Sequence, residues 1–179
     1  MTNAIRIIYT GLRPSLLKAA DNVNELLATE EFYNNIACLN NFDLADASPQ
    51  LIADLMRKAS IDMTIDLYYA FNPIKNIDSY DDLADPSVIH MNIWKIDRPV
   101  ASICNALIHS CVHAVNAYHN KYYFGHGDMS LKGKENTAPC KIGVLAEQMI
   151  SKGMAAYIPF EHDILTSGVK PIKDYLKFD

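Results

Sequence analysis

Histidine is the residue type in this sequence whose spacing points most directly to chemistry. The chain has six histidines, and four of them, His109, His113, His119 and His126, fall within 18 residues. His109 and His113 are four residues apart, so on a helix they lie one turn apart on the same face, where two imidazoles can bind one metal ion. The spacing therefore predicts a metal site on a helix.

The helix that would carry this pair is predicted over residues 99–119, a stretch without internal glycine or proline after its first residue. On a helical wheel at about 100° per residue, the apolar and polar residues of this stretch separate onto opposite sides. We therefore expect the histidines to face a cleft or solvent rather than the core. The apolar side comprises Cys104, Leu107, Ile108, Cys111 and Val115, and the polar side comprises Ser102, Asn105, His109, His113 and Asn116.

The segment from His109 to His119 fits the frame HxxxHxxxxxH and resembles the active-site helix of the zincin metallopeptidases, which carry HExxH or HExxHxxGxxH. The similarity of motif covers about residues 105–143. It implies zinc as the cofactor, peptides or proteins as substrates, and hydrolysis in which zinc polarises a peptide carbonyl and activates water. Two positions depart from the motif, since Ser110 replaces the glutamate and Asn116 replaces the glycine.

Ser110 occupies the position at which the family has its general base. A serine hydroxyl is far too weak a base at neutral pH to replace a glutamate. Three readings stay open: another group supplies the base, the chain is a non-catalytic metal- or peptide-binding protein, or it is an inactivated peptidase. Ser110 is not expected to be a nucleophile, because the sequence has no GxSxG turn and a mid-helix hydroxyl has no oxyanion donors.

The third metal ligand has several candidates, of which His126 is favoured. It lies in the glycine-flanked sequence Phe-Gly-His-Gly-Asp, whose order resembles the turn and third histidine of small zincins, displaced by an insertion. His119 is the alternative, although it requires the helix to break at Asn116, where nothing in the sequence forces a break. Glu147 is the third choice, and Asp128 could orient a ligand imidazole by hydrogen bonding to its other ring nitrogen.

The hydrophobic pattern elsewhere predicts the elements that must position these residues. We expect a single α+β domain over residues 1–179, with a mixed or antiparallel sheet packed on helices around a central metal-binding helix. The resemblance described above implies that this is a small zincin-like domain. The strand at 88–96 is expected at the sheet edge, where an extended peptide could pair with it. The remaining predictions are strands at 4–9, 63–71 and, weakly, 32–39, helices at 15–28, 48–59 and 142–152, and loops at 74–87 and 120–140.

Composition limits the remaining function classes. The chain has 16 lysines and arginines against 21 aspartates and glutamates, a net charge of −5, which argues against nucleic-acid binding by phosphate neutralisation. Charged residues are expected to interrupt every run long enough to span a membrane, and the apolar patch near the N-terminus is expected to be too short and too charged for a signal-peptide core. The four cysteines form no CxxC pair and are expected to be reduced and mostly buried. These features predict a cytoplasmic protein without a membrane partner.

Overall fold

The computed structural model of the protein describes residues 5–69, 79–81, 85–126 and 133–153. These residues form an α+β structure, as predicted, in which helices pack on a small sheet. The strands are β1 (Ile5–Ile8), β2 (Ile61–Tyr68), β3 (Ser79–Asp81) and β4 (Val88–Asn92). The helices are α1 (Pro14–Leu27), α2 (Glu30–Ala37), α3 (Pro49–Lys58), α4 (Val100–Tyr118) and α5 (Ala138–Lys152).

The sheet is mixed, with the strand order β1-β2-β4-β3. β1, β2 and β4 are parallel, whereas β3 runs antiparallel to β4. The prediction that 88–96 is an edge strand is wrong, because β4 lies between β2 and β3, and β3 itself comes from the segment predicted as a loop. β4 also ends early, since the Asn92 side chain accepts a hydrogen bond from the Trp94 N–H and caps a 3-10 turn over Ile93–Lys95.

The sheet is buried on one face only among the described residues. Strand side chains alternate between the two faces, and the apolar set forms one continuous core with the helices. On the opposite face, Arg6 and Asp62 are register partners on β1 and β2 and form an exposed ion pair of 2.9 Å. All the helical packing therefore lies on the other side, where the buried strand residues are Ile5, Ile7, Met63, Ile65, Ile89 and Met91.

The segment 32–39, predicted weakly as a strand, is not extended: its residues 32–37 belong to helix α2, which ends at Ala37. The Thr29 side chain accepts a hydrogen bond from the Phe32 N–H and so caps the N-terminus of this helix. Two glutamates in the first turn stabilise the helix further, because their negative charges lie near the positive end of its dipole. Phe32, Tyr33 and Ile36 are buried, and this three-to-four spacing is helical.

Other element boundaries differ modestly from the predictions. The strand predicted at 63–71 is observed over Ile61–Tyr68, with residues 70 and 71 outside the described part. α5 begins at Ala138, four residues before its predicted start, with Pro139 in its first turn. The predicted loop at 120–140 is described over residues 120–126 and 133–137.

Helix α4 is the central helix and confirms the prediction for residues 99–119. It packs against both α5 and α1, and all five residues of its predicted apolar side are buried. α4 and α5 approach closely at Gly143, where a Cβ atom would collide with the Asn105 side chain. Beside this contact, the Asn105 Nδ2 atom donates a hydrogen bond of 2.8 Å to the Glu147 carboxylate.

Helix α4 also has the length and composition to cross a membrane. The expectation that charged residues interrupt every such run is wrong here, because residues 100–118 contain none. Half of the apolar window in this helix is buried against the rest of the described structure. The central helix of a folded domain has the same properties, so this feature alone is weak evidence for a membrane span.

Asn24 covers the edge of the sheet at β1. Its Oδ1 atom accepts a hydrogen bond of 2.8 Å from the Ile7 N–H, and its Nδ2 atom donates one of 3.0 Å to the Ile7 carbonyl. Asn24→Asp removes the donor and places a carboxylate against that carbonyl. We expect the free energy of unfolding, measured by urea denaturation, to fall by about 1–3 kcal/mol. The same change at exposed Asn34 is the control, and an equal loss there would contradict this role.

Candidate metal centre

Three of the predicted histidines converge at their Nε2 atoms. The His109 and His113 Nε2 atoms are 3.2 Å apart, and each lies 3.1 Å from the Nε2 atom of His126. His109 and His113 project from α4 and are half-buried, whereas His126 follows the helix in the next loop and is buried. These are the three residues that the sequence favoured, and the structure brings them together.

The three nitrogens are spaced as one metal ion requires. A tetrahedral ion with bonds of about 2.0–2.1 Å to nitrogen separates its ligand atoms by about 3.3–3.4 Å. The observed separations of 3.1–3.2 Å are close to this value. Among the described residues, these three ligand atoms leave the fourth position of such an ion open. His109, His113 and His126 can therefore hold a metal ion with one position available to another ligand.

Hydrogen bonding alone cannot satisfy this arrangement of rings. The Nε2 atom of a neutral imidazole either donates one hydrogen bond or accepts one. Three such atoms in mutual contact make three pairs, so at least one pair brings two lone pairs or two protons together. A cation placed among three lone pairs removes this conflict, so the geometry favours a metal ion over a purely hydrogen-bonded cluster.

The surroundings of the cluster favour the neutral form of the two imidazoles on α4, those of His109 and His113. Burial lowers the pKa of His109 well below its ordinary value, and the neighbouring His113 and His126 lower it further. Burial also lowers the pKa of His113 to about 4, with contributions from His126 and Lys134. A metal binds the neutral form of histidine, so both groups are already in the form that a metal ion needs near neutral pH.

The loop that carries His126 is fixed by hydrogen bonds to distant parts of the chain. Asp46 makes two bonds with Tyr123: its carboxylate accepts from the Tyr123 N–H at 2.6 Å, and its own N–H donates to the Tyr123 carbonyl at 2.9 Å. The Asn116 side chain accepts a hydrogen bond of 2.6 Å from the Phe124 N–H. The Phe124 ring is fully buried. These contacts hold the backbone immediately before His126.

Two further contacts hold the far side of this loop. The Lys134 ammonium donates a hydrogen bond of 2.8 Å to the His126 carbonyl. Asn136 and Asp43 exchange two bonds of 3.0 Å, one through their side chains and one from the Asp43 N–H to the Asn136 carbonyl. Between the anchors at 43 and 46, Leu44 has a φ of 60° and is exposed, a strained turn conformation for a leucine.

The other candidate ligands do not join the cluster. The alternative third ligand, His119, lies outside the cluster. Helix α4 continues unbroken to Tyr118 and carries the His119 ring past the three clustered histidines. His119 stacks on Tyr122, and its Nδ1 atom is buried without a hydrogen-bond partner in the described structure. Glu147 also lies outside the cluster and bonds to Asn105. Asp128 lies outside the described residues.

Two residues that depart from the zincin motif have clear structural positions. Ser110 is buried within α4, immediately after His109. Asn116 does not turn the chain as the glycine of the motif would, since the helix passes through it and its side chain instead binds the Phe124 N–H. The anchoring roles of Asn116, Asp46 and Lys134 were not predicted, and Asp46 gives no local sequence signal because its partner is 77 residues away.

No protein-family model matches this chain, and neither curated proteins nor solved structures show a significant similarity to it. The likeness to zincins therefore depends on the residues of α4 and of the following loop. The fold and the site together define the chain as an α+β protein with a three-histidine cluster that can bind one metal ion.

Replacing single histidines tests the membership of the cluster. We expect His109→Ala, His113→Ala and His126→Ala each to weaken metal binding by at least about a hundredfold, because each removes one of three ligands. His119→Ala is the matched control and should leave the affinity unchanged. Zinc and cobalt affinities are measured by competition with a chromophoric chelator, with circular dichroism as the folding control. A loss in His119→Ala equal to that in His126→Ala would contradict the assignment.

Proposed function

We propose that this chain is a zinc-dependent, peptidase-like protein of the zincin type, with zinc bound by His109, His113 and His126. The convergence of their three Nε2 atoms within 3.2 Å of one another carries the proposal. Structural zinc sites have four protein ligands, whereas catalytic sites have three and keep one position open. The described cluster has three members. Zinc in this position would polarise a peptide carbonyl and activate water.

The proposed ligand or substrate is a peptide in extended conformation. β3 is the last strand in the sheet order, runs antiparallel to its neighbour β4, and contacts the histidine-bearing helix α4. A peptide that pairs with the outer edge of β3 would therefore run beside α4. The opposite edge is less accessible, because Asn24 already occupies the outward N–H and carbonyl of Ile7. β3 thus replaces the strand at 88–96 as the proposed peptide-binding edge.

Ser110 is proposed to disable hydrolysis in this chain. Ser110 directly follows His109 in the sequence, but its hydroxyl is too weak a base to take a proton from water at neutral pH. Within the described residues no aspartate or glutamate belongs to the histidine cluster, and the Glu147 carboxylate is bonded to Asn105. On this proposal the chain binds zinc and peptide without efficient cleavage, while the remaining geometry is that of a peptidase.

A second candidate is a metal- or peptide-binding protein whose site is not arranged for hydrolysis at all. The burial of Ser110 favours it, because a longer side chain at this position would need space inside the helix packing. The two candidates differ in what happens when a carboxylate is supplied at position 110. A peptidase-like site gains activity, whereas a site that only binds does not.

Ser110→Glu supplies the missing base. A positioned general base contributes about 10²–10⁴-fold to a hydrolytic rate, so we expect zinc-dependent cleavage of unstructured protein substrates to rise by about that factor. Ser110→Gln is the matched control, because it has nearly the same size and no basic oxygen. Cleavage is followed by mass spectrometry of the products, with and without a chelator.

The folding of these variants is checked by their zinc stoichiometry. Ser110→Asp is tested as well, because its shorter side chain fits more easily if the glutamate disrupts the helix packing. Zinc-loaded Ser110→Glu and Ser110→Asp proteins that both cleave no faster than Ser110→Gln would contradict the peptidase proposal and support the second candidate.

A further inference from the structure

One asparagine of the central helix binds the loop that returns to the candidate metal centre. Asn116 is half-buried and lies three residues after His113, so both side chains lie on the same side of α4. The Asn116 Oδ1 atom accepts a hydrogen bond of 2.6 Å from the Phe124 N–H. The returning chain is therefore tied to the helix that carries two of the clustered histidines, at a point two residues before the third.

The returning loop passes directly beside one of the clustered rings. A Cβ atom at Gly125 would lie 3.5 Å from the His113 Nδ1 atom and 3.6 Å from the Asn116 Nδ2 atom, so only the space of one methyl group separates this backbone from the two side chains. The next residue is His126, whose Nε2 atom lies 3.1 Å from that of His113. The position of the third imidazole therefore depends on how closely residues 124 and 125 are held to α4.

Asn116 stands where the zincin motif has the glycine that lets the chain turn after the second histidine. In this chain α4 runs on to Tyr118, and the third clustered histidine follows the second by 13 positions, further than in the motif. A longer connection has more conformational entropy to lose when its end is brought back to the helix. The bond from the Phe124 N–H to Asn116 is a contact that offsets this cost.

A second anchor holds the same loop from another part of the chain. Asp46 binds the N–H and the carbonyl of Tyr123, but it is exposed and belongs to the segment between α2 and α3. Asn116 is half-buried, where a hydrogen bond is less weakened by water, and it belongs to the ligand-bearing helix itself. Asn116 therefore opposes most directly a displacement of the loop from α4. Both anchors precede His126, since residues 127–132 lie outside the described part of the chain.

We infer that Asn116 is the positioning residue of the third metal ligand, and that its bond to the Phe124 N–H determines whether His126 joins His109 and His113 on one ion. This inference rests on the proposed function, because it requires a metal ion at these three histidines. It deepens that function by naming the residue that replaces the glycine of the motif in bringing the third histidine to the site. Asn116 acts through His126 rather than by binding the ion itself.

Variants at position 116 test this role in the full chain, with zinc affinity measured by competition with a chromophoric chelator. Asn116→Ala removes the acceptor, and Asn116→Leu removes it without leaving a cavity. Loss of a residue that orients a metal ligand costs about 10–100-fold in affinity, so we expect a loss of about that size in both variants and of less than about threefold in Asn116→Asp, which keeps an oxygen for the same bond.

Asn105→Ala is the matched control for these variants. Asn105 is also a half-buried asparagine on the polar side of α4, but its side chain binds the Glu147 carboxylate on α5 instead of the loop. We expect Asn105→Ala to leave the zinc affinity unchanged. Circular dichroism and urea denaturation identify the variants that fold.

A double-mutant cycle separates positioning of His126 from a general structural effect. Asn116→Ala is combined with His126→Ala, and the zinc affinity of the double variant is compared with that of His126→Ala alone. If Asn116 acts through His126, its replacement has no further effect once that ligand is absent, so we expect equal affinities. A general loss of structure would weaken zinc binding in both backgrounds by the same factor.

The possible failures are distinguishable. Unchanged zinc affinity in folded Asn116→Ala and Asn116→Leu proteins would overturn the role of Asn116, and so would an equal further loss in the His126→Ala background. Either result would leave the metal centre intact. Failure of the unaltered chain to bind zinc would overturn the proposed function itself.

Discussion

The mutual approach of three imidazole nitrogens is the constraint on which the rest of the site depends. The His109, His113 and His126 Nε2 atoms lie 3.1–3.2 Å apart, closer than three neutral rings can satisfy by hydrogen bonding to one another. Their convergence has a cost in desolvation, which the lowered pKa of His109 reflects. A divalent cation resolves this conflict because it accepts all three lone pairs at once.

The fold holds these rings from two directions. α4 presents His109 and His113 on one face because its opposite, apolar side is buried. The loop presents His126 because Asn116 and Asp46 bind the backbone before it, and Lys134 binds its own carbonyl. Two ligands thus come from a rigid helix and one from a loop with polar anchors, and these anchors determine how well the third ligand is positioned.

The sequence predicted the parts of this site that depend on local periodicity. The four-residue spacing of His109 and His113, together with the apolar side of the same helix, was sufficient to place both rings on one face. His126 was favoured through its flanking glycines and its resemblance to a zincin turn, and the structure brings it together with His109 and His113. What could not be predicted depends on long-range contacts: Asp46 has its partner 77 residues away, and short β3 forms only by pairing with β4.

X-ray absorption at the zinc edge, on the full chain with one equivalent of zinc, tests the central claim most directly. The account predicts three imidazole nitrogens at about 2.0 Å, with the outer-shell scattering of imidazole rings, and one additional light ligand. A sulfur neighbour at about 2.3 Å, or fewer than three imidazoles, would contradict the three-histidine centre.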